Sequence, residues 1–481
     1  MAAQDSAKTV GVAVPASRQA LVWTTGGYAL MILGAIGAFL LIRSYGIALV
    51  APPVLAPPTV THATGPGADV FLHVLLALSA VIITGLILAK GCTYLGQPPV
   101  IGEVIAGIML GPSFLGAEAS ALLLPHTVAP FLGVIAQLGV LLYMFTVGLE
   151  FHTDVMRQRT HATIATSHAS ILVPFVLGAL LALELYPRLS SSDVPFTSFA
   201  LFLGVAMSIT AFPVLARILT DRRMSRTELG VIALGCAATD DVTAWCLLAF
   251  VVGVAQAQVG AGLVVATGTL AYITLMFLLV RPLLRHVVAR WETEPLPRSA
   301  TACIFVALLL SGLATEYIGI HAIFGAFLLG VIIPHDSAVA RTFTRHLASV
   351  VTVLLLPAFF AFTGMRTRID LVSGLDQWLL CGLIVVVATG GKFGGTVVAA
   401  RLTGLRWRQA AVLGTLMNTR GLMELIVLNI GLDLNVISPT LFAMMVLMAL
   451  ATTLATAPVL QVLMPSTAAE DESGRASSFH C

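Results

Sequence analysis

Long apolar runs, repeated along almost the whole chain, constrain this sequence more than any other feature. Most runs approach or exceed the ~20 residues that a helix needs to cross a bilayer, and polar or basic stretches separate them. The runs lie at about 21–42, 70–89, 98–116, 129–150, 162–186, 196–219, 228–254, 259–284, 299–317, 320–334, 347–365, 376–401, 409–431 and 437–463. Only 10% of the 481 residues are charged, against about 25% in soluble domains. We therefore predict an all-α polytopic membrane protein with about fourteen transmembrane helices.

The polar segments divide the chain into four predicted parts. Residues 1–20 form an N-terminal tail, 21–68 an additional transmembrane helix with an external Pro-rich linker, 69–465 the main membrane domain and 466–481 a short tail. The first apolar run is longer than a signal-peptide core and lacks a convincing cleavage site, so we expect it to be retained. The six cysteines have no metal-type spacing and are expected to be free thiols.

Basic residues are distributed unequally between the two sides of the predicted membrane domain. One side collects Lys90, Arg157, Arg159, Arg222, Arg223, Arg226, Arg281, Arg285, Arg290, Arg298, Arg341, Arg345, Arg401, Arg406 and Arg408, and the other only Arg43, Arg188, Arg366 and Arg368. The positive-inside rule makes the richer side cytoplasmic, which predicts a multi-pass protein of the cell membrane with both termini in the cytoplasm. Because these charges lie in short loops, the net charge of +2 does not indicate a nucleic-acid partner.

Two short motifs recur about seven spans apart. The segment 145–149 resembles 362–365, and the segment 106–111 resembles 325–330. Because seven is odd, the two copies must cross the membrane in opposite directions. Chance similarity between apolar segments is the alternative, but the matching order favours an inverted repeat of about five helices, which is typical of transporters.

Two adjacent acids, Asp240 and Asp241, stand well inside the apolar run 228–254. Each carboxylate costs roughly 2.5–3.5 kcal/mol at that depth, and two neighbouring like charges do not ionise freely. Such residues usually face a wet cavity and bind ions or protons, although a purely structural pair is the alternative. We therefore predict that Asp240 and Asp241 form a site that binds ions or protons.

Two spans are interrupted by polar residues and by residues that break helices. In the first, Pro213 removes a backbone donor, and Ser208 and Thr210 can satisfy the freed groups. In the second, the interruption consists of Asn418, Thr419, Arg420, Gly421 and Glu424. A kink is the simple interpretation of Pro213 alone, but interruptions at corresponding places in both halves predict a midplane site built from broken helices.

Lys392 is the one lysine deep inside an apolar run. A buried ammonium needs a partner, and Asp240 or Asp241 is the candidate; snorkelling to an interface is the alternative. Arg420 could pair with Glu424, four residues on, or neutralise the dipole ends of a broken helix.

These residues together resemble the cation/proton antiporter superfamily, in its bacterial branch related to plant cation/H⁺ exchangers and potassium efflux antiporters. The resemblance covers about 70–465 and rests on the order of its motifs, which are the segments 97–107, 110–112, 208–217, 240–241 and 417–425 together with Lys392. It implies the sodium/proton antiporter fold, with two crossed broken helices, a separate dimerisation domain and elevator-like alternating access. It also implies that Asp241 binds the ion, that Asp240 pairs with Lys392 and that Thr210 lies near the crossing.

The sequence therefore predicts a secondary transporter, not an enzyme, that exchanges Na⁺ or K⁺ for H⁺ without a cofactor, as a homodimer in the bilayer. The combination of Asp240, Asp241 and Lys392 further predicts electrogenic exchange, with more than one proton moved per cation. The alternative is that Lys392 only braces the two repeats and stays protonated, in which case one cation exchanges for one proton. An organic-anion carrier on the same fold and a channel-like potassium efflux protein remain alternatives. An intramembrane aspartyl protease is disfavoured because its two acids come from separate helices, whereas these are consecutive on one helix.

Overall fold

The computed structural model describes residues 18–52, 68–123, 125, 128–150, 161–224, 227–256, 261–291 and 296–464. The N-terminal tail, most of the Pro-rich linker, the C-terminal tail, Cys481 and three of the arginines used for orientation lie outside the described residues. The described part consists of helices joined by short turns, which confirms the predicted all-α class. Five of the six cysteines lie in the described part, and none of these five forms a disulfide.

The helices follow one another with few long connections. In chain order they are α1 Arg18–Gly46, α2 Ala68–Tyr94, α3 Pro99–Leu110, α4 Pro112–Leu115, α5 Ala117–Leu123, α6 Ala129–Glu150, α7 His161–Leu189, α8 Phe196–Ser208, α9 Phe212–Asp221, α10 Glu228–Gln256, α11 Ala261–Leu275, α12 Arg281–Val288, α13 Arg298–Ile318, α14 Ala322–Ile332, α15 Ala338–Val350, α16 Leu356–Arg366, α17 Gly374–Leu402, α18 Trp407–Met417, α19 Leu422–Asp433 and α20 Pro439–Leu463. A π-helical turn joins α11 to α12 at Met276–Val280, and another joins α15 to α16 at Val351–Leu355.

Ten continuous helical segments of the described chain are long and apolar enough to cross a membrane, and the bent pair α18 and α19 makes eleven. Three further apolar helices, α3, α8 and α14, are shorter than a bilayer is thick. The expected fourteen apolar runs therefore all contain helices, but the exact count of fourteen spans stays a prediction. The difference has two causes: breaks after α3 and α8 leave pieces that do not reach across by themselves, and α14 is a continuous helix of only 11 residues.

The helices of the membrane domain form two bundles. We call α7–α10 with α17–α20 the site bundle; its centre is the close packing of α17 against α7, α18 and α20. We call α2–α6 with α11–α16 the companion bundle, in which α3 packs against α2 and α16, and α6 against α14 and α16. The two halves of the sequence thus contribute to both bundles, as expected of a chain with repeated halves.

The two recurring motifs meet in space in the companion bundle. A Cβ atom at Gly364 would lie 2.3 Å from the carbonyl carbon of Gly107, so α16 and α3 touch backbone to backbone. A Cβ atom at Gly330 would lie 2.4 Å from the carbonyl oxygen of Phe145, where α14 crosses α6 near Gly148. Each motif of one half therefore packs against the opposite motif of the other half. This reciprocal packing is the arrangement that an inverted repeat produces, although the repeat itself remains a prediction.

The first helix, α1, packs on the site bundle. It contacts α7 and α8, with Tyr28 against the ring of His168 and Phe39 against the ring of Phe175. Arg43 Nε donates a hydrogen bond of 3.1 Å to Thr197 Oγ1 at the start of α8. Large apolar side chains on the other faces of α1, such as Leu30 and Leu33, remain exposed on the protein surface, which suits a helix that faces lipid.

Candidate functional site

Two broken helices cross at the centre of the site bundle. The first break separates α8 from α9, and the second separates α18 from α19, which are bent by 44°. Each break leaves backbone groups without helical partners, and the two breaks satisfy one another. The N–H of Ala211 donates to the carbonyl of Thr419 over 3.0 Å, and Thr210 Oγ1 lies 3.2 Å from the Met417 carbonyl. Pro213 is near the first residue of α9, where its missing N–H costs no helical hydrogen bond.

Asp240 lies on α10 beside this crossing and is completely buried. Its Oδ1 accepts a hydrogen bond of 2.8 Å from Ser167 Oγ. Its Oδ2 lies 2.7 Å from Ser170 Oγ and 3.0 Å from Thr210 Oγ1. Lys392 Nζ, also fully buried, forms an ion pair with the same Oδ2 over 3.0 Å. A buried carboxylate is tolerated only when it is paired and hydrogen-bonded, and Asp240 is surrounded by donors on both oxygens.

Lys392 connects this carboxylate to the broken helix α8. Besides the ion pair, Nζ donates a short hydrogen bond to the carbonyl of Ser208, the last residue of α8. The carbonyls at a helix C-terminus carry partial negative charge, so an ammonium is favourable there. Ser208 Oγ donates within α8 or to Ile171 on α7, and therefore does not compete for Lys392.

Asp241, the next residue, is in a different environment. Its side chain is only 4% exposed, yet its Oδ1 has no hydrogen-bond partner among the described residues. Asp241 also lines a small cavity together with Ile209, Met423 and Val427, which are apolar residues of the two broken helices. An unpartnered buried carboxylate oxygen is the arrangement that a bound proton or cation would complete.

A second buried ion pair supports the crossing. Arg420 Nη1 lies 3.0 Å from Glu424 Oε2, and both side chains are fully buried. The Arg420 guanidinium also donates to the carbonyls of Ala206 (3.2 Å) and Met207 (2.9 Å) near the end of α8. Both expected roles of Arg420, pairing with Glu424 and neutralising a helix end, are therefore present. Thr419 is buried at the crossing, whereas Asn418 is the C-cap of α18 and its Oδ1 has no partner among the described residues.

The structure thus brings together Asp240, Asp241, Lys392, Thr210 and Ser208, with Arg420 and Glu424 on the far side of the α8 end. Ser167 and Ser170 are site residues that were not predicted from the sequence. Their signal was available, because they stand three residues apart in the apolar run of α7 and therefore share one helix face. Without knowing that α7 packs against α10, that face could not be assigned to the acid pair.

Three cavities lie along α19, two of them between the bundles and the third, at Asp241, inside the site bundle. The largest, of about 260 Å³, is lined by Glu316 and His321 of the companion bundle and by Asp433 at the end of α19. The next includes Asn429 and Ile426, about one and two turns earlier on α19, and the cavity at Asp241 includes Met423. The cavities therefore lie one after another along α19 from its end towards Asp241, and the two nearer Asp241 are small, with volumes of about 30 and 10 Å³. We call the large cavity the vestibule; it lies on the side that carries Arg366.

His321 is a buried titratable residue that lines the vestibule. It caps α14 just beyond the end of the candidate span Arg298–Ile318, with Nδ1 accepting a 3.5 Å hydrogen bond from the N–H of Ile323. Burial lowers the pKa of His321 below its usual value, and the neighbouring carboxylates of Glu316 and Asp433 partly oppose that effect.

At the other end of the site bundle the two bundles touch closely. Val100, Ile101 and Val104 of α3 pack near Val214 of α9 and Leu450 of α20 around a very small cavity. Gln97 Nε2, just before α3, donates to the carbonyl of Leu454 over 3.2 Å. Apolar contacts therefore narrow the gap between the two bundles on this side, whereas the vestibule widens it on the other.

Comparison with known proteins identifies what this architecture is similar to. The family model described as "Sodium/hydrogen exchanger, transmembrane" matches residues 77–464. The Na⁺/H⁺ antiporter NhaS4 of Synechocystis sp. is 41% identical over 402 residues, which cover 82% of this chain and 98% of that protein. The sodium proton antiporter MjNhaP1 of Methanocaldococcus jannaschii has the same fold at a TM-score of 0.60, with 13% identity, over 83% of this chain and 98% of that one.

Two eukaryotic relatives match a similar part of the chain. Cation/H⁺ antiporter 20 of Arabidopsis thaliana is 38% identical over 77% of this chain, and K⁺/H⁺ antiporter 1 of Saccharomyces cerevisiae is 33% identical over 77%. The matches cover 46% and 42% of those two proteins, so the chain spans less than half of their length.

Proposed function

Because the chain belongs to the transmembrane sodium/hydrogen exchanger family, we propose that it exchanges Na⁺ or K⁺ for H⁺ across a membrane, with Asp241 as the exchanging group. It is a multi-pass membrane transporter and not an enzyme, and the ions that it carries are its substrates. The relative from Synechocystis is a Na⁺/H⁺ antiporter and the one from yeast a K⁺/H⁺ antiporter, so both cations are candidates.

The single observation that carries the assignment is the difference between the two adjacent acids. Asp240 has hydrogen-bond donors on both oxygens, whereas Asp241 lines a small cavity and its Oδ1 has no partner among the described residues. A cation binds a carboxylate only when it is ionised, and a proton neutralises the carboxylate. Both ligands therefore compete for Asp241, and that competition couples the two fluxes when the site faces one side at a time.

Electrogenic exchange follows from the partner of Asp240. Lys392 is held between Asp240 and the Ser208 carbonyl in the structure. If Lys392 lost its proton, Ser167, Ser170 and Thr210 would still donate hydrogen bonds to Asp240. Lys392 can therefore become neutral while the Asp240 carboxylate keeps hydrogen-bond partners. A cation arriving at Asp241 would then displace one proton from that acid and another from Lys392.

Alternating access would use the interface between the two bundles. The vestibule and the smaller cavities along α19 offer a route from the arginine-poor side, and the apolar contact of α3 closes the opposite side. Sliding of the site bundle against the companion bundle would reverse which side is closed. We further propose that the arginine-rich side is cytoplasmic in the cell membrane, that both termini lie there, and that two copies associate through the companion bundle, as the family resemblance implies.

Proton flux in proteoliposomes containing the purified protein tests this proposal. Each alkali cation is added in turn while internal pH is recorded, and the reversal point is measured with and without an imposed membrane potential. We expect Na⁺ or K⁺ to drive proton movement with a fixed stoichiometry and a reversal point that shifts with the potential. Proton movement that no monovalent cation affects contradicts the exchange, and a reversal point set by the ion gradients alone contradicts its electrogenic form.

A further inference from the structure

Two serines on α7 hold one member of the acid pair. Ser167 and Ser170 are fully buried and lie 2.8 and 2.7 Å from the two different oxygens of Asp240. Ser167 is the only described donor to Oδ1, whereas Oδ2 is also reached by Lys392 and Thr210. The carboxylate is therefore fixed from both ends, and Ser167 controls the orientation of the oxygen that Lys392 does not reach.

The serine and threonine hydroxyls around Asp240 differ in how many other acceptors each can reach. A serine or threonine hydroxyl has one proton to donate. Ser170 can give it to Asp240 or to the Ser167 carbonyl at 2.8 Å, and Thr210 can give it to Asp240 or to the Met417 carbonyl at 3.2 Å. Ser167 has the Asp240 carboxylate as its acceptor at 2.8 Å. Among the described residues, the Ser167 hydroxyl therefore has Asp240 as its acceptor, whereas the Ser170 hydroxyl has two acceptors within reach.

We propose that Ser167 and Ser170 are positioning residues that keep Asp240 turned towards Lys392, so that Asp241 is the only acid of the pair with an oxygen free for the cation. The inference rests on the proposed cation exchange and specifies how the site limits itself to one carboxylate ligand. Around Asp240 the charged groups are Asp241 on its own helix, Lys392 on α17, and Arg420 with Glu424 beyond the end of α8.

The number of carboxylates that contact the cation determines which cations the site binds and how readily it releases them. A monovalent cation is balanced by one carboxylate, whereas two carboxylates would hold it more tightly and would also suit a divalent cation such as Ca²⁺, which prefers several oxygen ligands. Tight binding slows release in a transporter. Without the serines, Asp240 Oδ1 loses its only described donor, and a bound cation becomes the partner that best satisfies it.

The test compares Ser167→Ala/Ser170→Ala with wild type in proteoliposomes, at one alkaline pH. We expect the apparent KM for the transported cation to fall by about tenfold, because one hydrogen bond to a charged group changes an affinity by about that factor. We expect kcat to fall with it, and Ca²⁺ to become an inhibitor that wild type does not recognise. A merely structural defect lowers activity without tightening cation binding.

Thr166→Val is the matched control. Thr166 neighbours Ser167 on α7, is fully buried, and its hydroxyl has no hydrogen-bond partner among the described residues. This variant removes a buried hydroxyl from the same helix turn without touching Asp240, so its KM and its response to Ca²⁺ should match wild type.

Further measurements keep the result decisive when transport is too slow to follow. The cation concentration that gives half of the maximal thermal stabilisation of the purified protein then replaces KM as the midpoint to be compared. If the double variant does not fold, Ser167→Ala alone is measured instead. An unchanged or higher KM, or an unchanged midpoint, overturns the role of the serines while wild-type exchange leaves the proposed function intact. Absence of cation-driven proton flux in wild type overturns the proposed function itself.

Discussion

Two neighbouring carboxylates on one helix have different chemistry because different helices surround them. Asp240 faces α7 and α17, which supply two serines and a lysine, whereas Asp241 faces the apolar residues Ile209 and Met423 at the broken helices. Consecutive residues are separated by about 100° around a helix, so one step along α10 exchanges a polar environment for an apolar cavity. The proposed division of roles depends on that geometry and not on the residue type.

His321 provides a pH-dependent prediction at the residue scale. Burial lowers its pKa in the folded protein below the value in the unfolded chain, so at acidic pH the unfolded state binds more protons. The folded protein should therefore lose stability as pH falls through about 6.5, the unfolded value. His321→Gln removes this contribution, and its thermal midpoint should fall less than that of wild type between pH 8 and pH 5.5.

The control for this measurement is His286→Gln, which changes an exposed histidine on α12. Its thermal midpoint should follow the wild-type curve throughout. Equal acid sensitivity of His321→Gln and wild type would refute the contribution of His321.

At the residue scale, the sequence could predict which charged residues needed partners but not all of those partners. Lys392, Asp240, Arg420 and Glu424 stand out because a charge in an apolar run is costly, and the structure pairs all four. Serines in a membrane helix carry little cost, so Ser167 and Ser170 give a weak signal until the packing of α7 against α10 is known. The roles of all these residues in ion binding remain proposals.

At the scale of elements, glycines set how closely helices of the companion bundle approach. Gly364 of α16 and Gly107 of α3 touch backbone to backbone, and any side chain there must push the helices apart. Gly364→Ala should therefore lower the stability by about 1–3 kcal/mol, the usual cost of overpacking, and lower the thermal midpoint in detergent.

Gly382→Ala on α17 is the comparison, because nothing lies within 4 Å of its added Cβ. That variant should be as stable as wild type or slightly more stable, since alanine favours a helix. If the two alanine variants unfold at the same temperature, α3 and α16 are not packed as closely as the structure indicates.

Helix positions could largely be predicted from apolar runs, whereas helix lengths could not. The run 347–365 belongs to a helical segment that already begins at Ala338. The apolar pattern missed the first turns of this segment because they carry Arg341, Arg345 and His346. The breaks at 209–211 and 418–421 were visible as polar interruptions, but their mutual hydrogen bonds depend on contacts about 200 residues apart in sequence.

At the scale of the whole molecule, polar contacts join the two bundles beside the vestibule. Asn429 Nδ2 of α19 donates to Thr363 Oγ1 of α16 over 2.8 Å, and Arg366 of α16 pairs with Asp433 of α19 at 2.6 Å. If the bundles slide during exchange, these contacts must break. Thr363→Cys/Asn429→Cys, in a chain whose native cysteines are replaced by serine, should therefore stop cation-driven proton flux when a short bifunctional thiol reagent links the pair.

Ser113→Cys/Asp370→Cys is the control, because Ser113 Oγ and Asp370 Oδ1 lie 2.8 Å apart within the companion bundle. Linking that pair should leave transport intact. Transport that continues after complete linkage of residues 363 and 429 would show that exchange does not require the bundles to separate there.

The central claim is that Asp241 carries both the cation and the proton. Its most direct test is cation-driven proton flux in proteoliposomes containing Asp241→Asn, compared with wild type at equal amounts of folded, inserted protein. Asparagine keeps the shape of the side chain but neither ionises nor takes up a proton, so the account predicts that flux is abolished while the protein still folds and inserts. Wild-type exchange by well-folded Asp241→Asn would contradict the account.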